Sequence, residues 1–236
     1  DTADTYTLTT TSGSLTSAAS GNIVVSLLPV MIYQHNFTTI MIGTTYTVTP
    51  PVFATHLNTS VWTSKSGTGS FISANGTGNA GNSLAVTTIA NTPYTLTFNV
   101  EDGYSLAVNS FNLWRFSSQA SNTISSITVN GITINPASIS IPTGSNANSG
   151  TTLGQTNVAN TVSGLTGVIT VNLNLVNGGN SGSFRLDDFT LYGNVTCLKP
   201  TAYTVTGGGA VCSGTGVPVG LSNSQLGINY QLQIDG

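Results

Sequence analysis

Charge is what this sequence lacks most. Four Lys and Arg residues and seven Asp and Glu residues are spread over 236 positions, for a net charge of −3. The acids are Asp1, Asp4, Glu101, Asp102, Asp187, Asp188 and Asp235, and the bases are Lys65, Arg115, Arg185 and Lys199. So few cations cannot lay down the basic stripe that follows a nucleic-acid backbone, nor the polybasic cluster that draws a chain to anionic lipid. Histidine is as scarce, with only His35 and His56. A Ser or Thr nucleophile therefore has almost no base to activate it, and no GxSxG elbow accompanies either histidine. P-loop, Rossmann, HExxH and EF-hand patterns are all missing.

Long apolar runs are missing too. The most apolar stretch, 23–33 (IVVSLLPVMIY), is about half the length of a membrane-spanning helix and contains Pro29, so no span is expected. The chain opens DTADTYTLTT, without the Met and basic residues of a signal peptide, and reads as mature exported material. Cysteine is limited to Cys197 and Cys212, fifteen residues apart, with neither histidine near them in sequence. A metal site needs more ligands than that, so in an exported chain the pair reads as a disulfide closing a short loop, with two free thiols as the alternative. Low net charge and abundant β-branched residues speak for a folded chain rather than a disordered one. Its solubility must come from hydroxyls and amides.

Good helix formers are rare, and no long stretch repeats at the 3.6-residue period. Period-two alternation is frequent instead: 94–100 (YTLTFNV), 127–134 around Asn130-Gly131, and 168–176 (VITVNLNLV). Further strand candidates are 45–49, 105–116, 138–141 and 184–192, with Asn, Gly, Ser and Pro clusters between them. Asn-Gly between two alternating runs is a hairpin signal. The polar stretch 145–160 reads as a long loop or ragged edge. Short strands with one apolar and one polar face predict an all-β chain, two antiparallel sheets packed face to face.

Three segments are expected. Residues 1–22 form a linker or the edge strand of a preceding module, and 23–195 form a jelly-roll-like β-sandwich. Residues 197–236 hold three strand candidates, 202–206, 217–221 and 229–234. About forty residues cannot enclose a core alone, so the chain is expected to stop inside an incomplete second domain.

The segment TAYTVTGGGAVC (201–212), with VPVGL (217–221) and GINYQL (227–232), resembles the immunoglobulin-like repeats of large secreted and surface proteins of Bacteroidetes. That resemblance covers 197–236 and implies a partial Ig-like sandwich, export by type IX secretion, an adhesin-like parent with further domains, and an extracellular or cell-surface location. Residues 23–195 resemble jelly-roll modules of the carbohydrate-binding or concanavalin-like kind, through WTSKSGTG (62–69), FNLWRF (111–116) and the closing strand RLDDFTLYG (185–193). No single carbohydrate-binding family lends its ligand residues.

Each candidate site has a plainer alternative. Asp187 and Asp188 are strand neighbours, so they point to opposite faces and cannot form one catalytic pair. Asp187 shares a face with Arg185, Phe189 and Leu191, and Asp188 shares one with Leu186. They are candidate ligands for a structural calcium ion; otherwise the carboxylate pairs with Arg115 or Arg185, or caps backbone donors in a turn. Glu101-Asp102-Gly103 reads as a turn. A glycosidase needs two carboxylates about 5–10 Å apart, and Glu101 with Asp187 or Asp188 is the one combination to examine. Sugar stacking falls to Trp62, Trp114 and Tyr104, with Tyr33, Tyr94 and Tyr192 as further rings. Trp114 alternates with Leu113, so one of these two faces the core. Trp62, beside the SKSGTG turn, is the more exposed candidate. His35 reads as a hydrogen-bonded structural residue. Sequons stand at Asn36, Asn58, Asn75 and Asn194, and DTA at 1–3 resembles a bacterial O-glycosylation motif.

The expected function is that of a non-catalytic extracellular adhesion or surface-assembly module, binding a glycan or another surface ligand. The alternatives are a purely structural stalk or fibre repeat and a glycoside hydrolase accessory fragment.

Overall fold

The computed structural model describes residues 4–6, 11–12, 15–16, 23–25, 29–39, 42, 44–47, 50–64, 71–72, 78–79, 81–87, 93–117, 122–135, 137–144, 150–176, 183–210, 212, 214, 216–226 and 228–231. The SKSGTG turn from Lys65 on, the turn at 177–180, residues 145–149, the Asn75 sequon and the end of the 229–234 strand candidate lie outside them.

Among the described residues there are strands and no helix. In chain order they are β1 (Asp4–Tyr6), β2 (Thr11–Ser12), β3 (Leu15–Thr16), β4 (Ile23–Val25), β5 (Val30–His35), β6 (Thr45–Tyr46), β7 (Val52–Phe53), β8 (Leu57–Ser64), β9 (Phe71–Ile72) and β10 (Leu84–Thr87). Then follow β11 (Pro93–Val100), β12 (Tyr104–Ser117), β13 (Thr123–Val129), β14 (Ile132–Asn135), β15 (Ile139–Ser140), β16 (Thr151–Leu165), β17 (Gly167–Val176), β18 (Ser183–Cys197), β19 (Val205–Gly207) and β20 (Val219–Leu221).

Two large antiparallel sheets form a β-sandwich. Sheet I has the order β14-β13-β17-β11-β8-β6, with β15 also on β13. Sheet II has the order β16-β12-β18-β10-β9, with β5 on β18 and β7 on β5. The chain alternates between the sheets: β11, β13 and β17 lie in sheet I, while β12, β16 and β18 lie in sheet II. The face-to-face packing follows from the sequence pattern, because an eight-residue strand such as PYTLTFNV buries every second side chain. Tyr94, Leu96, Phe98 and Val100 meet Phe111, Leu113, Leu186 and Leu191 in one apolar core. Each such side chain contributes about 1.5–3 kcal/mol.

Charge does not guard the sheet edges here. β6, β7 and β9 have two residues each and β14 has four, too short to template another chain. β16 is the exception at fifteen residues, and its first part, 151–160, falls within the stretch expected to be a loop. It runs beside the shorter stretch 106–115 of β12 through three register shifts. Bulges of this kind twist an edge away from new partners. They also scramble the alternation, which is why the sequence there does not look like a strand.

The ends of the chain form pairs of their own. β1 pairs with β4 and β2 with β3, so β4 joins neither large sheet although it lies at the start of the expected sandwich. After Gly193 no described residue is buried, and the β19–β20 pair exposes Val205 by 60%. Residues 229–231 are irregular rather than a third strand. The expected disulfide is not formed: Cys197 and Cys212 are both exposed and not bonded to each other. Cys197 is held opposite Tyr104 at the end of β18, while Cys212 lies in the β19–β20 connection, at the end of β19 away from β18.

Candidate functional site

Asp187 and Asp188 sit at a break in sheet II. Along one edge of β18, β10 pairs with residues 183–186 and β5 with residues 189–193. Between them β18 bulges: Trp114 is opposite Asp187 and Asn112 opposite Thr190, which leaves one extra residue on β18. Asp188 takes it up at φ 47°, a left-handed conformation that Asp tolerates better than most residues. The bulge overturns the expected facing. Asp187 lies with Arg185 on the outer face, whereas Phe189 and Leu191 turn into the core with Leu186.

Asp187 fills the gap between the two edge strands. Its Oδ1 accepts the backbone N–H of Asp188 at 2.9 Å and that of Phe37 at 3.3 Å, and its Oδ2 accepts the N–H of Asn79 at 2.8 Å. Asn79 Nδ2 donates to Asp188 Oδ2 at 2.7 Å. Asp187 is 4% exposed, and burial first, then the nearby Asp188, pushes its carboxyl above the usual range against the opposing pull of the three N–H groups. A cavity of about 80 Å³ adjoins it, bounded by Asn36, Phe37, Thr38, Asn82 and the two acids. The calcium expectation does not fit this arrangement. A calcium ion takes six to eight oxygens, but the Asp187 oxygens already serve backbone donors, and Thr38 O accepts Asn82 Nδ2 at 2.6 Å. Among the described residues no three His, Cys, Asp or Glu side chains gather to hold a metal. Capping of backbone donors, the plainer alternative, is what the geometry gives.

The two tryptophans do not offer sugar platforms. Trp62 has no exposed surface; its indole N–H donates to Tyr33 Oη at 2.8 Å, and its ring meets Phe37 and Phe189 edge-on. Its register with Leu96 puts it on the inner side of β8, where the flanking turn has no influence. Trp114 is 2% exposed, although Leu113, not Trp114, belongs to the core. It lies on the outer face of sheet II under Gly150, where any side chain would collide with the indole. Tyr33 and Tyr94 are buried, and burial raises both phenols well above their usual range. Tyr104 and Tyr192 are half-buried, and Tyr192 Oη accepts Asn112 Nδ2 at 3.3 Å.

Tyr104 marks the opposite end of the sandwich. Its ring stacks on His56, with centroids 3.5 Å apart. His56 Nδ1 lies 3.0 Å from Glu101 Oε2, and Asn58 Nδ2 donates to Glu101 Oε1 at 3.3 Å. These hydrogen bonds hold the Glu101 carboxyl below its ordinary range. The 101–103 turn forms as expected, with Gly103 at φ 85°. On β18, Cys197 pairs with Tyr104 and Asp187 with Trp114, so Glu101 and Asp187 are separated by about ten strand residues, roughly 30 Å. They cannot flank one sugar bond.

Among the described residues neither the buried Arg115 nor the half-buried Arg185 meets an acid. Arg185 donates to Ser183 Oγ and lies over the Phe116 ring, 5.3 Å from its centroid. Arg115 donates to backbone carbonyls. The one ion pair among the described residues is His56–Glu101, so of the two plainer alternatives for Asp187 the arginine pairing is not found there. His35 has the structural place expected of it, hydrogen-bonded to Tyr33 Oη at 2.9 Å and stacked on Phe37.

What sequence reasoning missed is the outer face of sheet I. The register aligns Thr45, Thr63, Thr95, Asn172, Thr128 and Thr133 in one row across six strands. Thr95 Oγ1 donates to Asn172 Oδ1 at 2.7 Å, and one row over Asn174 Nδ2 donates to Ser126 Oγ at 2.9 Å. The signal was the repeated Thr or Asn at alternate positions of β11 and β17, with Ser126 and Thr128 on β13; what could not be read was that they align. No protein-family model matches this chain, and neither a curated protein nor a solved structure is significantly similar to it.

Proposed function

We propose that this chain is a non-catalytic module of a larger extracellular bacterial surface protein, and that it mediates adhesion or surface assembly by glycan recognition. The observation that carries the reading is the uncharged hydroxyl and amide row on the outer face of sheet I. Such a face offers donors and acceptors to a polyhydroxylated surface without the desolvation cost of charges. Its contacts are shallow, so each module binds weakly and the parent chain gains strength by presenting several. The separation of Glu101 from Asp187 supports the non-catalytic part.

Beads coated with the purified chain test this on surfaces carrying immobilised polysaccharides. The native chain should attach, and Thr95→Lys with Asn172→Lys should cut attachment about tenfold while the melting temperature stays within a few degrees, since both positions are half-exposed. Attachment that ignores these substitutions would count against the face.

The burial of Trp62 and Trp114 favours a second reading, a purely structural stalk, because it leaves no flat aromatic platform at either position. On that reading the chain attaches to nothing yet resists mechanical unfolding, and single-molecule pulling would report it.

A further inference from the structure

Arg115 is a buried charge with no ion pair among the described residues. Between it and Arg185 the sequence contains no charged residue. Its register partners, Thr151 on β16 and Leu186 on β18, place it on the inner side of sheet II. There it reaches across the open edge of the sandwich to β15 of sheet I. Nε donates to Ser140 O at 2.8 Å, and Nη1 lies 3.3 Å from Thr151 O and 3.5 Å from Thr151 Oγ1. No hydrogen bond among the described residues engages Nη2, and no carboxylate pairs with the guanidinium. The residue is 8% exposed. Burial lowers its pKa, but a guanidinium stays charged at any ordinary pH. A buried cation whose partners are all neutral is costly to maintain, and an anion would relieve that cost.

A cavity of about 290 Å³ opens beside this cation. Its wall includes Asn135, Ser138 and Thr156, which offer hydroxyl and amide groups, and Ile139 and Leu153, which offer aliphatic surface. No acidic side chain lines it. The volume lies at the small end of ligand pockets, suited to one sugar ring rather than a long oligomer. We propose that this cavity binds the carboxylate of an acidic sugar, a hexuronate unit of a glycan, against Arg115. Nη2 and the remaining N–H of Nη1 form the end of the planar guanidinium fork, and this end meets a carboxylate with two parallel hydrogen bonds while Nε keeps Ser140 O. Ser138, Thr156 and Asn135 bond the ring hydroxyls, and Ile139 and Leu153 take the C–H face. One cation without a second base or a cluster of backbone N–H donors matches a monoanion better than a phosphate dianion. The assignment rests on the glycan-recognition reading above and names the sugar class it selects.

The test is an NMR titration of the whole chain with a galacturonate oligosaccharide, its carboxyl-reduced counterpart and a sulfated saccharide of equal length. The acidic oligosaccharide should shift the amides of 138–140, 151 and 156, and carboxyl reduction should weaken binding at least about tenfold. Added salt should weaken it as well. Arg115→Lys keeps the charge but loses the fork, and should weaken binding about tenfold. Because Arg115 also ties the two sheets together, Ser138→Ala and Thr156→Val on the cavity wall provide variants that leave its hydrogen bonds intact, each weakening binding several-fold. Equal affinity for the acidic and reduced oligosaccharides overturns the carboxylate assignment and leaves glycan recognition standing, as does preference for the sulfated saccharide. Binding of none of the three overturns both.

Discussion

Asp187 and Phe37 stand 150 positions apart in the chain, yet the carboxylate of one accepts the backbone N–H of the other at 3.3 Å. The same carboxylate holds the N–H groups of Asn79 and Asp188, so one side chain joins the end of β5, the 78–79 turn and the β18 bulge. Removing it leaves three backbone donors in a nearly dry site. Asp187→Ala should destabilise the fold by about 3 kcal/mol, and Asp187→Asn, which keeps one acceptor oxygen, by about 1–2 kcal/mol. Urea unfolding of the three proteins checks the order, and an alanine variant as stable as the parent would remove Asp187 from this role.

The two ends of the sandwich should respond to pH with opposite signs. Asp187 has a folded pKa above its ordinary 3.8, so its contribution is fully present below that value and is lost as pH rises through the folded pKa. Glu101 has a folded pKa below its ordinary 4.5, so its contribution is present above 4.5 and is lost as pH falls through the folded value. Glu101 is well exposed, so its effect is the smaller of the two. Melting temperatures between about pH 3 and 7 should show that Asp187→Asn removes the decline on the rising side, and Glu101→Gln the decline on the acid side.

Thr59 offers a backbone test. Phe98 pairs with Ser60 and Asn99 with Asn58, so Thr59 is the unpaired residue of a bulge, exposed and at φ 45°. A β-branched residue in the left-handed region carries a cost of about 1–2 kcal/mol that glycine avoids, partly offset by glycine's freedom in the unfolded chain. Thr59→Gly should therefore stabilise the fold by about 0.5–1 kcal/mol, whereas Thr63→Gly, in register on the same strand, should destabilise it by at least as much. A loss of stability in both would show that the bulge carries no strain.

These positions also mark how far the sequence is legible. Strands β11 and β17 follow from alternation alone, and the hairpin at Asn130-Gly131 follows from turn chemistry, with both residues at positive φ. Each is decided within a few residues. The bulge at Asp188 is not, because it exists to fit two separate edge strands onto β18, and a single added residue reverses the facing of all that follows. The burial of Trp62 is hidden from the sequence for a related reason. Its neighbours are polar, but its register with Leu96 turns it inward. Asn79 had no signal at all, since its partner Asp187 is 108 positions away.

Gly193 gives the sharpest steric prediction. It lies where β18 passes between β12 and β5, opposite Val108 and Val30. A Cβ there would collide with the carbonyl oxygen of Ala107, a backbone atom, and would also press on Ile32 Cδ1. Its φ is not in the left-handed region, so the demand for glycine comes from close approach alone. A flexible side chain could move aside, but a carbonyl within a sheet cannot shift without disturbing the register of β12, one of the two longest-paired strands of sheet II. Gly193→Ala should cost about 3 kcal/mol or more, well beyond the tenths expected from propensity. Gly131→Ala, at φ 81° with open space around it, should cost only the smaller backbone penalty of about 1–2 kcal/mol. Thermal unfolding of the two variants separates the effects. If Gly193→Ala melts at or above the temperature of Gly131→Ala, the tight β12–β18 approach is not what requires the glycine.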